Sequence, residues 1–120
     1  MDIDDFEIYQ EAMRIGDAIW NEVAHWDYFS RDTVGKQLVR CTDSIAANIA
    51  EGYGRFHFAE NKSFCRYARG SLQESITFLT KAQNRNLIQP ESATTLINDL
   101  IILRKRLNAY IRSIGDKGNS

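Results

Sequence analysis

Hydrophobic positions recur at alternating spacings of three and four residues along four segments of the chain, which is the pattern of helices that bury one face. The pattern predicts helices at about residues 5–26, 33–53, 59–84 and 90–114, followed by a tail at 115–120. Strand-like alternation is absent. The clearest core stripe belongs to the last helix and comprises Ala93, Leu96, Leu100, Leu103, Leu107, Tyr110 and Ile114.

The connections between these helices are short, which favours antiparallel neighbours. We therefore expect an all-α fold, an antiparallel up-down-up-down four-helix bundle forming a single domain over residues 1–120. Asp32 or Thr33 is expected to cap the second helix, and Pro90 to open the fourth. The aromatic residues of the first loop are expected to close over one end of the core; these are Trp26, Tyr28 and Phe29.

Polar and small residues interrupt the stripe of the second helix. Asn48 and Gly52 lie in line with core positions, and Glu51 borders them. Small residues in the second helix and near Gly70 in the third allow two backbones to approach closely. A buried amide or carboxylate needs hydrogen-bonding partners, so we expect a close neighbour to supply them. This neighbour is either the third helix or another subunit.

The fourth helix carries more apolar surface than one core needs, in Ile97, Ile101, Ile102 and Ile111. Trp20 and Trp26 widen the apolar arc of the first helix. Large apolar patches usually mark association. We therefore expect a homo-oligomer. The alternative is that broad stripes fill a thick monomer core.

The net charge is −1, so bulk charge gives no argument for nucleic acid. Its distribution is uneven. Residues 1–32 contain nine acids and two arginines, whereas the remainder contains thirteen Lys and Arg and seven acids. Opposite charges of these parts can pair within or between subunits. The basic side chains crowd the outer face of the third helix and the end of the fourth, as Arg66, Arg69, Arg104, Lys105, Arg106 and Arg112. Repeated around an oligomer, they would multiply phosphate contacts; the alternative is a solvated helix face.

The sequence carries no metal-binding or catalytic pattern of known spacing. His25 and His57 form no metal-binding pair, and Cys41 and Cys65 lack zinc-site spacing. Both cysteines lie on core stripes, where an inert thiol is expected. We expect no catalytic residue, no metal and no cofactor. The weakest option that stays open is an enzyme in which Glu51 and Glu74 converge on a cavity or ion.

The chain resembles the family of four-helix-bundle proteins encoded within intervening sequences of bacterial 23S ribosomal RNA genes. The residues that carry the resemblance are Ser44-Ile45, Asn48-Ile49-Ala50-Glu51-Gly52-Tyr53-Gly54-Arg55 and the later Ala68-Arg69-Gly70-Ser71-Leu72. The resemblance covers about residues 6–114. The resemblance implies a bundle that assembles as a homopentamer. The chain is also similar to the accessory proteins of diversity-generating retroelements, which are basic pentamers that bind nucleic acid and a reverse transcriptase. The family motif falls on Ser44, Asn48, Glu51, Gly52, Arg55, Gly70, Ser71 and Glu74.

The favoured hypothesis is a non-enzymatic homo-oligomeric scaffold, a homopentamer by resemblance, that binds RNA, DNA or a nucleoprotein through basic helix faces. The alternative is a protein–protein adaptor with no nucleic-acid role. We expect a cytoplasmic protein, because the two cysteines lie in helical patterns and no secretory leader precedes the acidic N-terminus. No stretch is apolar enough to span a bilayer, so no membrane partner is expected.

Overall fold

The computed structural model describes residues 2–115, and the predicted tail falls outside them apart from Gly115. Within this range the long helices are α1 (Glu7–Val23), α2 (Lys36–Tyr53), α3 (Phe58–Asn84) and α4 (Pro90–Ser113). A 3-10 turn at Ile3–Asp5 precedes α1. Residues 2–115 contain no strand, and the prediction of an all-helical bundle is confirmed.

Each helix packs against two others, in the pairs α1–α2, α2–α3, α3–α4 and α4–α1. The α1–α2 and α3–α4 surfaces are therefore on opposite sides of the bundle. Across α2–α3, Ser44 lies 3.0 Å from Ser71 and Thr42 lies 3.1 Å from Ser75, measured between hydroxyl oxygens. Residue numbers thus rise on one helix as they fall on the other. The bundle measures 49 × 21 × 21 Å.

The buried stripe of α1 runs through its isoleucines, and it comprises Ile8, Ala12, Ile15, Ile19 and Val23. Trp20, next to this stripe, is 61% exposed, and Met13 is also exposed. The wide apolar arc of α1 therefore exceeds what its own chain covers. The buried stripe of α4 agrees with the prediction from Ala93 to Leu107. Beyond Leu107 the buried residues are Ile111 and Ile114, whereas the predicted Tyr110 is half-buried.

The entry into α2 differs from the prediction. Asp27, rather than Asp32 or Thr33, caps the chain, because its carboxylate accepts hydrogen bonds from the Ser30 amide at 3.2 Å and the Ser30 hydroxyl at 2.6 Å. Helical structure then continues through Tyr28–Ser30 and a π-helical segment, Arg31–Gly35, into α2. Of the loop aromatics only Trp26 is buried, so Tyr28 and Phe29 do not close over the core.

Three aromatic rings and the amide of Asn61 come together at the end of the bundle that holds the α2–α3 turn. The Phe6 ring lies 4.8 Å from that of Tyr110 and 5.4 Å from that of Tyr53, between centroids. The Tyr110 hydroxyl accepts a hydrogen bond from Asn61 Nδ2 at 3.0 Å. This cluster fixes the chain ahead of α1 against α2, α3 and α4.

A row of buried hydroxyl groups joins α2 to α3. Thr42 and Ser75 are fully buried; the Thr42 hydroxyl donates to Ser75 Oγ, and the Ser75 hydroxyl donates to the Ser71 carbonyl at 2.8 Å. Buried polar groups that are paired in this way hold two helices in one register, since any shift leaves them unsatisfied. None of the helices in residues 2–115 has a stretch that is both long and apolar enough to cross a bilayer.

Candidate nucleic-acid interface

Two arginines bridge the outer edge of the α3–α4 pair. Arg69 Nη1 donates a hydrogen bond to Asn108 Oδ1 at 2.9 Å, and Arg104 Nη1 donates to Gln73 Oε1 at 2.7 Å. Both contacts agree with a single antiparallel register of α3 against α4, because residue 69 faces 108 and residue 73 faces 104. They also hold both guanidinium groups in place at the surface. Because both partners are neutral amides, the positive charges stay uncompensated.

Three further cations lie beside this pair. Arg66 precedes Arg69 by one helical turn, and Arg112 follows Asn108 by one turn, so the register places them at the same level of the bundle. Lys105 is two turns from Arg112 on the same face. All three are exposed, and none forms an ion pair within residues 2–115. We call the following set the α3–α4 basic surface: Arg66, Arg69, Arg104, Lys105 and Arg112.

Arg106 does not belong to this surface. Its Nη2 lies 3.3 Å from Glu7 Oε1, which places the side chain on the α1 side of α4. The separation follows from helical geometry, because residues two apart point in nearly opposite directions. Of the six cations predicted to act together, the structure gathers five and pairs the sixth with an acid.

The family motif contains one compact polar contact between helices. Asn48 Nδ2 donates to the Ser44 carbonyl and to Ser44 Oγ, each at 2.9 Å, and Ser44 Oγ contacts Ser71 Oγ at 3.0 Å. Asn48 Nδ2 thus finds both of these acceptors on its own helix. α3, one of the two neighbours expected to supply its partner, instead contacts Ser44.

α2 and α3 approach each other closely at Gly52. A Cβ atom at Gly52 would lie 2.8 Å from Asn61 Oδ1, 3.0 Å from the Asn61 carbonyl and 3.0 Å from Phe64 Cβ. The expectation of close backbone approach holds at this residue. At Gly70, by contrast, a Cβ atom would have no heavy atom within 4 Å among residues 2–115, so packing within the chain does not require this glycine.

The acids of the motif point outward. Glu51 is 54% exposed at its side chain and pairs with Arg55 on the next turn at 2.6 Å, while the Arg55 guanidinium lies 4.8 Å from the centre of the Phe64 ring. Glu74 is exposed and has no ion pair within residues 2–115. Glu51 therefore has its partner on its own helix, as its spacing from Arg55 allows, whereas within residues 2–115 no helix supplies an ion-pair partner to Glu74.

The two acids are also far apart. Glu51 lies seven residues beyond Ser44 on α2, and Glu74 lies three residues beyond Ser71 on α3. Because these helices run in opposite directions from the Ser44–Ser71 contact, the carboxylates are about 15 Å apart along the bundle at 1.5 Å per residue. They do not converge on a site. Residues 2–115 also contain no cluster of three or more His, Cys, Asp or Glu able to hold a metal ion.

The two cysteines are free and buried. Burial raises the pKa of the Cys65 thiol from 9.0 to about 11, and burial likewise raises the pKa of Cys41. Since the thiolate is the reactive form, both groups are poor nucleophiles at neutral pH.

We expect native Cys65 to react with a thiol reagent at pH 8 about a hundredfold more slowly than in the denatured chain, as measured by the rate of thiol modification. Equal rates would contradict the burial argument. The raised pKa also means that Cys65 contributes stability that is complete below the unfolded value of 9.0 and is lost as the pH rises towards about 11.

The amide partners of the arginines were not assigned a role from sequence. Gln73 follows Arg69 by four residues, and Asn108 follows Arg104 by four. This spacing is a usable signal, because it puts an amide and a guanidinium on the same face of each helix. The cross-pairing of Arg69 with Asn108 and of Arg104 with Gln73 required the register between α3 and α4.

The comparisons with known proteins concern the family and the fold. A model of the 23S rRNA-intervening sequence protein family matches residues 4–109. The 1.70 Å crystal structure of a protein with unknown function from the S23 ribosomal protein family, from Bacteroides thetaiotaomicron, has a TM-score of 0.80 and 21% identity, covering 88% of this chain and 99% of that chain. The comparison with curated proteins found no match. At this identity the structural likeness supports the fold alone, whereas the family model spans most of the chain; the protein belongs to the 23S rRNA-intervening sequence protein family.

Proposed function

We propose that this protein is a non-enzymatic, homo-oligomeric scaffold that binds RNA or a nucleoprotein through the α3–α4 basic surface. The observation that carries the proposal is that the cations of this surface have no acidic partners within residues 2–115. Arg69 and Arg104 are held by neutral amides, and Arg66, Lys105 and Arg112 have no acidic partner within residues 2–115. Arg14 and Arg106, by contrast, are matched by the carboxylates of Asp99 and Glu7.

Phosphate groups suit this surface better than a single carboxylate does. Arginine donates in a planar fork that matches phosphate oxygens, and a row of such groups follows a backbone that repeats its charge. The five residues that define the surface are all cations, so we expect contacts to the phosphate backbone with little reading of base sequence. The affinity is expected to depend steeply on salt.

The proposed assembly is an up-down-up-down bundle repeated as a homopentamer. The opposite running directions across α2–α3 support the first part. Exposed apolar side chains on α1 and α4 outside the Trp20 region support self-association; they are Met13 and Ile102. A ring would repeat the basic surface on each subunit and raise the avidity for a long nucleic acid. Sedimentation measurement of the mass in solution tests the assembly, and a monomeric mass at micromolar concentration contradicts it.

A cytoplasmic location is part of the same proposal. It is supported by the two free, buried cysteines, which suit a reducing compartment. The similarity to the accessory proteins of diversity-generating retroelements stays a prediction.

The direct test is a titration of a fluorescent RNA stem-loop with the intact protein at 50 and 200 mM salt. We expect binding at the lower concentration and a linear fall of log K with log salt, with a slope near −0.7 to −0.9 for each phosphate contacted. A DNA strand of the same sequence should bind within about tenfold, since phosphates dominate. Absence of binding at 50 mM salt overturns the proposal and favours the adaptor hypothesis.

A further inference from the structure

A groove lies between the second half of α1 and the start of α2, on the side of the bundle opposite the α3–α4 basic surface. Its volume is about 390 Å³, within the range of ligand-binding clefts. The indole of Trp20 forms one wall and is 61% exposed. Val23 and Val39 contribute apolar surface to the lining. An apolar groove with a freely exposed tryptophan on a folded helix is unusual without a partner, because indole burial is strongly favourable.

The π-helical segment Arg31–Gly35 shapes the other wall. Gly35 packs tightly towards the core, where a Cβ atom would lie 2.8 Å from Val23 Cγ1 and 3.0 Å from the Ser30 carbonyl. Single π-helical turns are rare and occur frequently at functional sites. Here the extra residue in the turn places Arg31 on one side of the groove while Lys36 and Arg40 line it from α2.

The charges around the groove are positive and largely unmatched. Lys36 pairs with Asp32 at 3.3 Å. Arg31 and Arg40 are exposed, and neither has an ion pair within residues 2–115. An occupant that complements this site therefore carries an apolar strip for Trp20 and the valines, together with carboxylates that reach the two arginines.

We propose that the groove binds an acidic amphipathic helix of a partner protein. Two adjacent antiparallel helices form a groove that can bind the apolar face of a third helix. The apolar residues of that third helix, spaced by three and four, then contact the groove. Nucleic acid is a poorer match, because the space between the cations is lined by the apolar Val23, Ala24 and Val39 and the one indole offers a single stacking surface. The groove and the basic surface lie on opposite sides, so both can be occupied in one molecule.

The test uses the intact protein and a synthetic helical peptide of about 16 residues, about 24 Å long. Its apolar strip is leucine and its flanks are glutamate; a twin peptide carries lysine in place of each glutamate. Trp20 emission reports binding, since Trp26 is buried and hydrogen-bonded to Glu22 and provides a constant background. We expect a blue shift with the glutamate peptide and affinity at least about tenfold weaker for the lysine twin.

The decisive variant is Arg31→Glu with Arg40→Glu, which should reverse the preference between the two peptides. The matched control is Arg66→Glu with Arg112→Glu, which makes the same charge change on the α3–α4 basic surface and should leave the preference unchanged. Equal binding of both peptides, binding of neither, or displacement by the RNA stem-loop overturns the proposal. So does a Trp20 emission that is already blue-shifted and shielded from quenchers in the free oligomer, because a second copy then fills the groove.

Discussion

Replacing Arg66, Lys105 and Arg112 together with glutamine lowers the affinity for an RNA stem-loop by about a hundredfold at 0.1 M salt. Loss of three phosphate contacts makes the slope of log K against log salt shallower by about two. The difference in affinity between the parent protein and the variant therefore grows by about two decades as the salt concentration falls from 1 M to 0.1 M. Glutamine keeps the helix propensity of the residues it replaces. Because these side chains are exposed and unpaired within residues 2–115, the fold should be unaffected. Fluorescence anisotropy at several salt concentrations measures both the affinity and the slope.

A matched control removes the same charge from the opposite side of the molecule, as Arg31→Gln, Lys36→Gln and Arg40→Gln. If affinity depends only on total charge, both triple variants weaken binding equally, and the assignment of the interface to α3–α4 is wrong. A second variant tests the amide partners. Gln73→Glu places a carboxylate against Arg104, whose hydrogen bond to the amide oxygen is 2.7 Å, and should lower RNA affinity without removing any cation.

Gly52→Ala and Gly70→Ala are expected to change stability in opposite directions. Alanine at position 52 forces α2 and α3 apart, because its Cβ would lie 2.8 to 3.0 Å from Asn61 and Phe64, and should cost about 2 kcal/mol. Alanine at position 70 has open space within residues 2–115 and should add about 1 kcal/mol through helix propensity alone. Urea unfolding at a fixed protein concentration measures both.

The pair also distinguishes packing within the chain from packing between subunits. If Gly70 is needed where two subunits meet, Gly70→Ala destabilises the oligomer or lowers its mass instead of stabilising it. A neutral or stabilising result with unchanged mass excludes that role. A Gly52→Ala variant as stable as the parent protein would contradict the tight contact described at the α2–α3 turn.

The helices themselves were predictable because burial of one helix face imposes a short repeat that any sequence must show. The ends of α3 and α4 fell within a residue of the predicted positions, at Asn84 and Ser113. The start of α2 was not predictable from its cap signals. Asp27, Asp32 and Thr33 are all competent caps, and the choice of Asp27 depends on the hydroxyl of Ser30 and on a π-helical turn with no sequence signature of its own.

The candidate site divides in the same way. Five of the six basic residues share a surface because helical spacing determines their direction on each helix. The role of Arg106 depended on Glu7, which is distant in sequence and is brought near only by the packing of α1 on α4. The same holds for Glu51 and Glu74, whose distance from each other is fixed by the register between α2 and α3.

The sequence by itself determined that this chain forms helices, which of their residues are apolar, and to which family it belongs, since each of these follows from local spacing or from a continuous motif. Only the tertiary structure decided which glycine is enclosed and which lies open, which arginines have an acidic partner, and where an apolar groove stays uncovered. These properties depend on the relative rotation and register of packed helices, which many weak contacts between distant residues set together.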